Sequence, residues 1–360
     1  MQDHPVPLRL AMRIVYLYSE LGPYNIPVLR ELVREYGAEI LVVHWDKALL
    51  KPFAPPPMEG VRFVPRSRLD SAGITMLCLE FKPDVLYVSG WMDRGYLPAA
   101  AQFVRRGVPV VAGFDDRWTG SARQIVASNI VAPMFREKFF SHAWVAGPEQ
   151  YSYARRLGFD ENRIIFDLLT ADVPLFTDSD VSSEPGSPFF FYAGNYRAVK
   201  GTDVLLRAYS RYREERCGGW RLVCAGGGDL ERDVSTAQGV EHLGYLDQVS
   251  LRLAAIDAGA FVLPSRHDQW GVVVHEFAAL GLPMLLSTGV GAASSLLIDG
   301  WNGFRFEAGS VDALLAALVR MSACGKDVRN QMRIKSRELA LRITPKTSAA
   351  NLASLVVGRS

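Results

Sequence analysis

Short runs of almost uninterrupted apolar residues recur along this chain of 360 residues. The runs are Met12–Tyr18, Ala38–His44, Val85–Ser89, Val108–Gly113, Phe189–Ala193, Trp220–Ala225, Ala260–Leu263 and Met284–Ser287. Strands that are apolar on both faces are typical of parallel sheets covered by helices on either side. Segments with an apolar residue every three or four positions separate several runs, as in residues 26–33. The pattern predicts an α/β protein with doubly wound parallel sheets.

The length of the chain and one polar interruption predict two domains. A chain of 360 residues is long for a single hydrophobic core. Residues 178–188, DSDVSSEPGSP, are rich in serine, proline and acidic residues, a composition typical of a linker. We therefore expect a first domain over residues 12–178, a second over residues 188–340, and a terminal helix over residues 344–358.

The charge balance argues against a nucleic-acid partner. The formal net charge is +2, and neither half of the chain carries an excess large enough for binding driven by charge. No apolar run approaches the ~18 residues that span a bilayer. The four cysteines, at positions 78, 217, 224 and 324, show no metal-ligand spacing and favour a reducing, cytoplasmic setting.

The stretch from Phe261 to Phe306 holds the strongest chemical signal. Asp268 lies in a loop after an apolar run, Gly271 follows as a turn glycine, and Glu276 falls on the predicted helix beyond it. The N–H groups of residues 271–273 lie at the start of this helix, where unpaired donors and the helix dipole favour an anion. A loop carboxylate, an anion site and a helical carboxylate in this order suit a sugar, a diphosphate and a ribose. The alternative is that Asp268 is a loop cap and Glu276 a solvated helix residue.

The same stretch resembles the signature of retaining GT-B-fold glycosyltransferases of family 4, also called glycosyl transferases group 1. That family has two glutamates separated by seven residues; this chain has Asp268 and Glu276 at the same spacing, with aspartate in the first place. Flanking matches to the family's tryptophan-containing variant are Pro264-Ser265-Arg266, Trp270-Gly271 and Gly281-Leu282-Pro283. The resemblance implies two Rossmann-like domains facing a central cleft, with the terminal helix packed back on the first domain.

A second match to the family lies where the second domain opens. Gly194 follows an apolar run and Lys200-Gly201 precedes a helix, as in the family's G-R-x-x-x-x-K-G segment. Asn195 stands where the family has arginine, and Arg197 is the candidate replacement. The donor-binding residues that the resemblance implies are Gly194, Asn195, Arg197, Lys200, Gly227, Asp268, Trp270, Gly271, Val272, Val273 and Glu276. Among them, Lys200, Asp268 and Glu276 are also predicted to be catalytic. The glycine-rich loop at residues 288–292 is expected to bring backbone close to a ligand.

The loop after the run at Val108–Gly113 supplies the candidate from the first domain. Ligands of open α/β sheets collect beyond the carboxyl ends of the strands, so residues 114–118 are expected to face the cleft. Many members of the resembled family have a histidine near this position, whereas this chain has Asp115 and Asp116. We predict a catalytic role for Asp115, with Asp116 as the alternative residue. A helix N-cap and a surface charge are the purely structural interpretation of the pair.

The resemblance implies retaining transfer of a sugar from a nucleotide diphosphate sugar to a hydroxyl of a saccharide or lipid-linked saccharide. No metal and no further cofactor are expected, and the setting implied is the biosynthesis of a polysaccharide. Two alternatives stay open: a sugar-nucleotide epimerase of the same architecture, and a non-catalytic subunit that binds nucleotide sugars. Residues 135–144, FREKFFSHAW, mix basic and aromatic residues, so peripheral contact with the inner face of a membrane competes with an ordinary half-buried helix.

Overall fold

Two parallel sheets with their helices make up the computed structural model, which describes residues 11–46, 53–177, 187–215 and 219–357. The predicted α/β class is therefore confirmed. Most of the predicted linker at residues 178–188 lies outside the described residues, so the predicted boundaries of the two domains stay predictions. We call the parts of the chain built on the first and second sheets the first and second domains.

Within the described residues, seven strands form the first sheet. They are β1 (Arg13–Tyr18), β2 (Glu39–His44), β3 (Val61–Pro65), β4 (Val85–Val88), β5 (Val110–Phe114), β6 (His142–Val145) and β7 (Ile164–Ile165). Their spatial order is β3-β2-β1-β4-β5-β6-β7, and all neighbours run parallel. The order reverses between β1 and β4, which places a crevice at the carboxyl ends of these strands.

The second sheet repeats this design with six strands in the described part of the second domain. They are β8 (Phe190–Ala193), β9 (Leu222–Ala225), β10 (Val240–His242), β11 (Ala260–Leu263), β12 (Met284–Ser287) and β13 (Gly303–Phe306). Their order is β10-β9-β8-β11-β12-β13, again parallel throughout. The reversal falls between β8 and β11, so the loops that follow these two strands border a second crevice.

Helices connect the strands in both domains. In the first domain they are α1 (Ile26–Tyr36), α2 (Ser71–Phe81), α3 (Leu97–Arg105), α4 (Ala122–Val126), α5 (Ala132–Phe139), α6 (Pro148–Arg156) and α7 (Val173–Thr177). In the second they are α8 (Thr202–Glu215), α9 (Glu231–Thr236), α10 (Gln248–Ala255), α11 (Val272–Ala279), α12 (Ala293–Leu296), α13 (Val311–Ala323) and α14 (Lys326–Ala340). The last helix is α15 (Pro345–Val357).

Helix boundaries follow local chemistry. Pro27 lies in the first turn of α1, where its missing N–H is no loss, and Gly37 ends the helix in a left-handed conformation with φ 58°. The carboxylate of Asp247 caps α10 by accepting from Ser250 N at 2.8 Å. This cap fixes the start of α10, whose first residue, Gln248, points to the site described below.

The apolar runs of the sequence are confirmed as strands β1, β2, β4, β5, β8, β9, β11 and β12. Several helices were not predicted, and α2 and α14 are the longest of them. The sequence of α14 is KDVRNQMRIKSRELA, in which many charged residues obscure the apolar period. Its buried side chains nevertheless include Met332 and Leu339, and α14 packs against α11.

The basic and aromatic segment 135–144 is not a single helix. Neither a helix that lies on a membrane nor an ordinary half-buried helix therefore describes its whole length. α5 ends at Phe139 and β6 begins at His142, because residues 142–145 pair with β5 inside the first sheet. Phe140 and Trp144 are buried in the first domain, whereas Phe135 is exposed. The second half of the segment therefore has no surface to offer to a membrane.

The end of the chain returns to the first domain. α15 packs against α1. The Asn351 side-chain amide donates to Phe166 O at 3.0 Å, and Lys346 Nζ lies 3.1 Å from a carboxylate oxygen of Glu35. The C-terminal helix therefore packs against the first domain.

A buried histidine on α11 joins three segments. The ring of His275 is fully buried; its Nδ1 accepts from Ala171 N at 3.0 Å, and its Nε2 lies 3.0 Å from Ala340 O. Because an N–H group points at Nδ1, the ring proton must sit on Nε2 and donate to the carbonyl. Burial lowers the pKa of His275 to about 4, so the ring is neutral at neutral pH.

We predict that stability falls as the pH drops from about 6.5 to about 4, because the unfolded chain binds a proton at His275 more readily than the folded chain does. The shift corresponds to at most about 3 kcal/mol of unfolding free energy. Denaturant unfolding at several pH values measures this dependence.

The His275→Gln variant should be less stable than wild type above pH 6.5 and should lose less stability on acidification. The control Gln238→Asn, an exposed change in the same domain that adds and removes no titratable group, should keep the wild-type pH dependence. Equal pH dependence in wild type and His275→Gln would show that His275 titrates like an exposed histidine.

Candidate functional site

The loops that follow β8 and β11 meet at the crevice of the second domain, and they carry the predicted pair Lys200 and Asp268. Lys200 ends a single 3-10 turn, Ala198–Lys200, immediately before α8. Its Nζ donates to an Asp268 carboxylate oxygen at 2.7 Å. The Asp268 side chain is 10% exposed and the Lys200 side chain 28%. The Asp268 carboxylate is therefore almost enclosed, while the Lys200 side chain is partly exposed.

Gly201 explains why the two loops can approach so closely. Its backbone is left-handed, with φ 71°, and a Cβ added there would lie 2.0 Å from Pro264 O. No side chain fits at this point, so glycine must follow Lys200. The guanidinium of Arg266 then holds the β11 loop to α8 by a bidentate pair with Asp203, at 2.6 and 2.7 Å.

The glycine-rich loop at residues 288–292 supports Asp268 from the other side. Asp268 N donates to Gly289 O at 2.9 Å, and Gly291 N donates to Asp268 O at 3.1 Å. A Cβ at Gly291 would lie 2.0 Å from Gln269 O. In this structure the glycines of the loop approach the protein backbone of the β11 loop, and the expectation that the loop also comes close to a ligand stays a prediction.

Glu276 lies one turn into α11, and its carboxylate is oriented by the start of α10. The Gln248 side-chain amide donates to Glu276 Oε1 at 2.8 Å, and Glu276 is 7% exposed. Gly271, in a left-handed conformation with φ 91°, precedes α11 and lies against the Asp268 carboxyl group. Val272 and Val273 are partly exposed and occupy the first turn, whose N–H groups have no partner within the helix. The structure thus brings Lys200, Asp268, Glu276 and this helix start to the same edge of the second sheet.

The other predicted donor residues lie around the β8 loop. Tyr196 N donates to Gly227 O at 2.9 Å, and the carbonyl of Asn195 accepts from Tyr192 at 3.1 Å. The adjoining Gly194 packs so closely that a Cβ at the neighbouring Gly226 would lie 1.9 Å from its carbonyl oxygen. The side chain of Arg197 is half exposed and pairs with Asp229 at 3.6 Å.

Trp270 is a packing residue in this conformation. Its ring is 1% exposed, and a Cβ at Gly147 of the first domain would lie 2.5 Å from it. The ring therefore fills the junction of the two domains and presents almost no surface to a donor. The predicted contact of Trp270 with the donor stays a prediction, and in this conformation only the main-chain atoms of Trp270 could make it.

The predicted first-domain residue Asp115 faces this edge from the end of β5. Burial, together with the charge of Asp116, raises the pKa of the Asp115 carboxyl to about 6. The charge of Asp268 adds to the increase, and the charge of Lys200 opposes it. Asp115 is thus electrostatically coupled to both members of the second-domain ion pair.

A set of hydrogen bonds joins the β5 loop to the β11 loop, and it was not predicted. The Gln150 side-chain amide is fully buried and donates both to Asp115 O, at 3.0 Å, and to Gln269 O, at 2.7 Å. Gln269 in turn donates to Asp116 Oδ1 at 2.6 Å and accepts from Arg117 N at 3.1 Å. We call these five residues, Asp115, Asp116, Arg117, Gln150 and Gln269, the interdomain clamp.

Arg117 extends the clamp to the glycine-rich loop. Its guanidinium donates to Gly289 O at 2.6 Å and pairs with Glu149 at the start of α6. The contacts that link the first domain to Gln269 and Gly289 join residues more than 100 positions apart in the chain. Local spacing in the sequence therefore gives no signal for them. The one signal available was that polar residues follow β5 and β11 at the strand ends.

Among the described residues, no group of three or more His, Cys, Asp or Glu side chains is arranged to hold a metal ion. In the same ranges, none of the helices combines the length and the apolarity needed to cross a bilayer.

Comparison with known proteins finds a family match within the second domain. Residues 187–323 match the family described as glycosyl transferases group 1. The glycogen synthase of Thermus thermophilus is 30% identical over 147 residues, which cover 39% of this chain and 33% of that protein. The chain thus matches about a third of the length of this relative.

A longer match includes both domains. The sulfoquinovosyl transferase SQD2 of Arabidopsis thaliana is 23% identical over 330 residues, covering 79% of this chain and 60% of that protein. Among solved structures, sucrose-phosphate synthase from Thermosynechococcus elongatus has a TM-score of 0.72 at 16% identity, over 96% of this chain and 98% of that one. Anabaena Alr3699/HepE in complex with UDP-glucose has a TM-score of 0.71 at 16% identity, over 96% and 100%. The likeness shows the fold, and the chain has the GT-B fold.

We predict that Asp115→Asn stabilises the protein at pH 7. Because the pKa of Asp115 is higher in the folded chain than in the unfolded one, its charge opposes folding as the pH rises from about 4 to about 6. The full shift is worth about 3 kcal/mol, and partial exposure reduces the expected gain to about 1–2 kcal/mol.

Denaturant unfolding at pH 7 and pH 4 tests this prediction, since the gain should vanish at the lower pH. Asp233→Asn, an exposed change on α9, is the control and should be neutral at both pH values. No gain from Asp115→Asn at pH 7 would contradict the raised pKa.

We predict that Gln150→Glu weakens the interdomain clamp more than Gln150→Met does. Methionine removes the two donated hydrogen bonds, whereas a carboxylate also places negative charge against Asp115 O and Gln269 O. The expected cost of the glutamate variant is roughly 2–4 kcal/mol of unfolding free energy. Hydrogen exchange should also quicken in residues 114–118 and 268–271.

The control is Gln238→Glu, a change at an exposed glutamine of the second domain. It should leave both stability and exchange at wild-type values. If Gln150→Glu exchanges like wild type in the two loops, the clamp does not hold them together.

Proposed function

We propose that the chain is a retaining glycosyltransferase that moves a sugar from a nucleotide diphosphate sugar to a hydroxyl of a saccharide or lipid-linked saccharide. The observation that carries the proposal is the juxtaposition of the Lys200–Asp268 pair with the helix start at Gly271, inside the region that matches group 1. One cation, one helix start and one enclosed carboxylate suit a diphosphate joined to a sugar.

Each residue has a distinct task in this proposal. Lys200 and the N–H groups of residues 271–273 bind the diphosphate and stabilise the negative charge that grows on it as it leaves. Asp268 accepts hydrogen bonds from hydroxyls of the transferred sugar. Glu276, already oriented by Gln248, accepts from the two ribose hydroxyls of the nucleotide. Lys200 and the start of α11 supply positive charge where a metal ion otherwise would, so we propose that the reaction proceeds without a metal.

The chemical step breaks the bond between the anomeric carbon and the diphosphate oxygen. The acceptor oxygen bonds to the anomeric carbon on the face from which the diphosphate departs, and the acceptor proton passes to the leaving phosphate. Retention then needs no protein nucleophile. Asp115 borders this region from the first domain, where we propose that it hydrogen-bonds the acceptor.

Two alternative functions make different demands on the same cleft. An epimerase of this architecture needs further acid and base residues, and a non-catalytic subunit needs only the donor site. Turnover of the donor excludes the subunit. Transfer to an added acceptor, rather than conversion of the donor into another sugar nucleotide, excludes the epimerase.

The test is calorimetric titration of UDP, GDP, ADP and dTDP in the presence of EDTA. We expect one of the four to bind in the micromolar range. Glu276→Ala and Lys200→Met should each weaken that binding roughly 10- to 100-fold, as expected for the loss of a hydrogen bond to a charged group. The control Lys326→Met, at the start of α14, should bind like wild type.

Failure of all four nucleotides to bind, both with EDTA and in a parallel titration with Mg²⁺ in its place, would contradict the donor class. Binding that survives Glu276→Ala would leave the donor class intact and exclude the ribose role of Glu276. Binding that requires a divalent cation would contradict metal independence.

The stereochemistry has its own test once the nucleotide is known. The proton NMR spectrum of the product, recorded during the reaction, should show the same anomeric configuration as the donor. The opposite configuration would contradict retention.

A further inference from the structure

Tyrosine side chains are stacked at the base of the first-domain crevice, where the sheet order reverses between β1 and β4. Tyr16 and Tyr18 come from β1, Tyr87 comes from β4, and Tyr24 lies in the 3-10 turn just before α1. The ring centroids of Tyr16 and Tyr87 are 4.7 Å apart, and the rings of Tyr18 and Tyr87 are stacked at 5.8 Å. Tyr24 is partly exposed, whereas the other three are buried. We call these four residues the tyrosine cluster.

Two glycines make room for the rings of this cluster. A Cβ at Gly22 would lie 2.5 Å from the Tyr24 ring, and a Cβ at Gly113, in β5, would lie 2.3 Å from the Tyr87 hydroxyl. A larger residue at either position would therefore displace a ring. The backbone thus holds the cluster from two sides, and Tyr24 is the member that solvent reaches.

The hydroxyl groups of the cluster make a polar surface next to Asp115. Burial raises the pKa of Tyr18, whose hydroxyl is hydrogen-bonded to that of Tyr24, and the charge of Asp115 adds to the increase. The Tyr16 hydroxyl is buried without a hydrogen-bond partner among the described residues, and it borders a cavity of about 10 Å³ that Tyr18 and Tyr87 also line. Such a cavity has room for about one water molecule. Since an unpaired buried hydroxyl costs free energy, packing alone does not explain this cluster.

The loops around the cluster carry more acidic than basic residues. Four acids and one base lie in the three loops that follow β1, β4 and β5, at residues 19–25, 89–93 and 115–118. The base, Arg117, is paired with Glu149. The acid of the second loop, Asp93, is paired with Arg66. The charge that faces the cluster from the β5 loop is therefore that of its two aspartates.

Cations outside these three loops act on the two aspartates without reversing this charge. Lys200, across the cleft, lowers the pKa of Asp115, and exposed Arg123, on α4, lowers that of Asp116. Burial has the larger effect on both carboxyl groups and raises the pKa of each. Lys200 is moreover paired with Asp268. A ligand held between the tyrosine cluster and the β5 loop thus meets a negative environment.

We infer that the tyrosine cluster and Asp115 form the acceptor subsite, and that the sugar it accepts is an uncharged hexose unit. This inference rests on the proposed function. The partly exposed ring of Tyr24 offers an apolar face to the C–H groups of a pyranose, and the Asp115 carboxylate accepts from one of its hydroxyls. A sugar phosphate or a uronic acid would bring a further negative charge to Asp115 and Asp116, which costs affinity.

The experiment is titration of sugars into the full chain, followed by saturation-transfer difference NMR, with and without the nucleoside diphosphate that binds best. The neutral probes are the methyl α- and β-pyranosides of glucose, galactose and mannose. The charged probes are the corresponding hexose 6-phosphates and glucuronic acid. We expect at least one methyl hexoside to bind, and its 6-phosphate to bind at least about fivefold more weakly.

Asp115→Asn tests the charge, and it is a variant that we expect to be more stable than wild type. It should weaken binding of the methyl hexoside by about threefold and strengthen binding of the 6-phosphate by about threefold or more, since the like charge is removed. The control Asp233→Asn, on α9, should change neither affinity. A purely structural role of Asp115 would change both affinities in the same direction.

Tyr24→Ala tests the ring and should weaken the methyl hexoside by about tenfold. Its matched control is Tyr36→Ala, which removes another partly exposed tyrosine at the far end of α1 and should bind the sugar like wild type. Tyr24→Phe keeps the ring and should stay within about threefold of wild type.

Three results would overturn the inference: no methyl hexoside binds, a 6-phosphate binds as well as its neutral counterpart, or Asp115→Asn and Tyr24→Ala bind both kinds of sugar like wild type. Nucleotide titration of the same samples separates this inference from the proposed function. Wild type that binds no nucleotide contradicts the donor class, whereas wild type that binds a nucleotide but no sugar contradicts the acceptor subsite.

Discussion

The ion pair between Lys200 and Asp268 is the interaction on which the site depends. A carboxylate that is only 10% exposed costs free energy unless a cation lies beside it, and Lys200 Nζ lies 2.7 Å away. The pair joins the loops after β8 and β11, the two strands at which the sheet order reverses. Gly201 permits the close approach, and the Arg266–Asp203 pair reinforces it. The electrostatics of the site and the geometry of its loops therefore have one origin.

Buried polar groups extend this order across the two domains. Gln150 fixes the β5 loop to the β11 loop, and His275, next to Glu276 in the sequence, fixes α11 to Ala171 and Ala340. Both side chains are fully buried, so each would leave unpaired backbone groups behind if it were removed. Burial, then the charge of Asp116 and more weakly that of Asp268, raise the pKa of Asp115, so the protein gives up stability to keep this carboxyl group at the cleft.

The sequence carried enough information for the fold and for the residues of the second-domain site. Buried parallel strands leave uninterrupted apolar runs, and Lys200, Asp268 and Glu276 lie at fixed short distances from strand ends, so local patterns reveal them. The interdomain clamp could not be predicted from the sequence, because Gln150 and Gln269 are 119 residues apart and meet only once both sheets have formed. The packing of the Trp270 ring at the junction of the two domains, and of Gly291 against the backbone of the β11 loop, is likewise not revealed by a pattern of residue types.

The central claim is that Lys200 serves both Asp268 and the donor diphosphate, and one comparison tests it most directly. The measurement is the calorimetric affinity of the nucleoside diphosphate that wild type binds best, compared between wild type and Asp268→Asn. Since a nucleoside diphosphate has no sugar for Asp268 to hold, the variant frees Lys200 and removes a nearby negative charge. The account predicts affinity about three- to tenfold tighter in Asp268→Asn. Weaker binding in the variant would contradict it, because Asp268 would then be required to place Lys200 rather than compete for it.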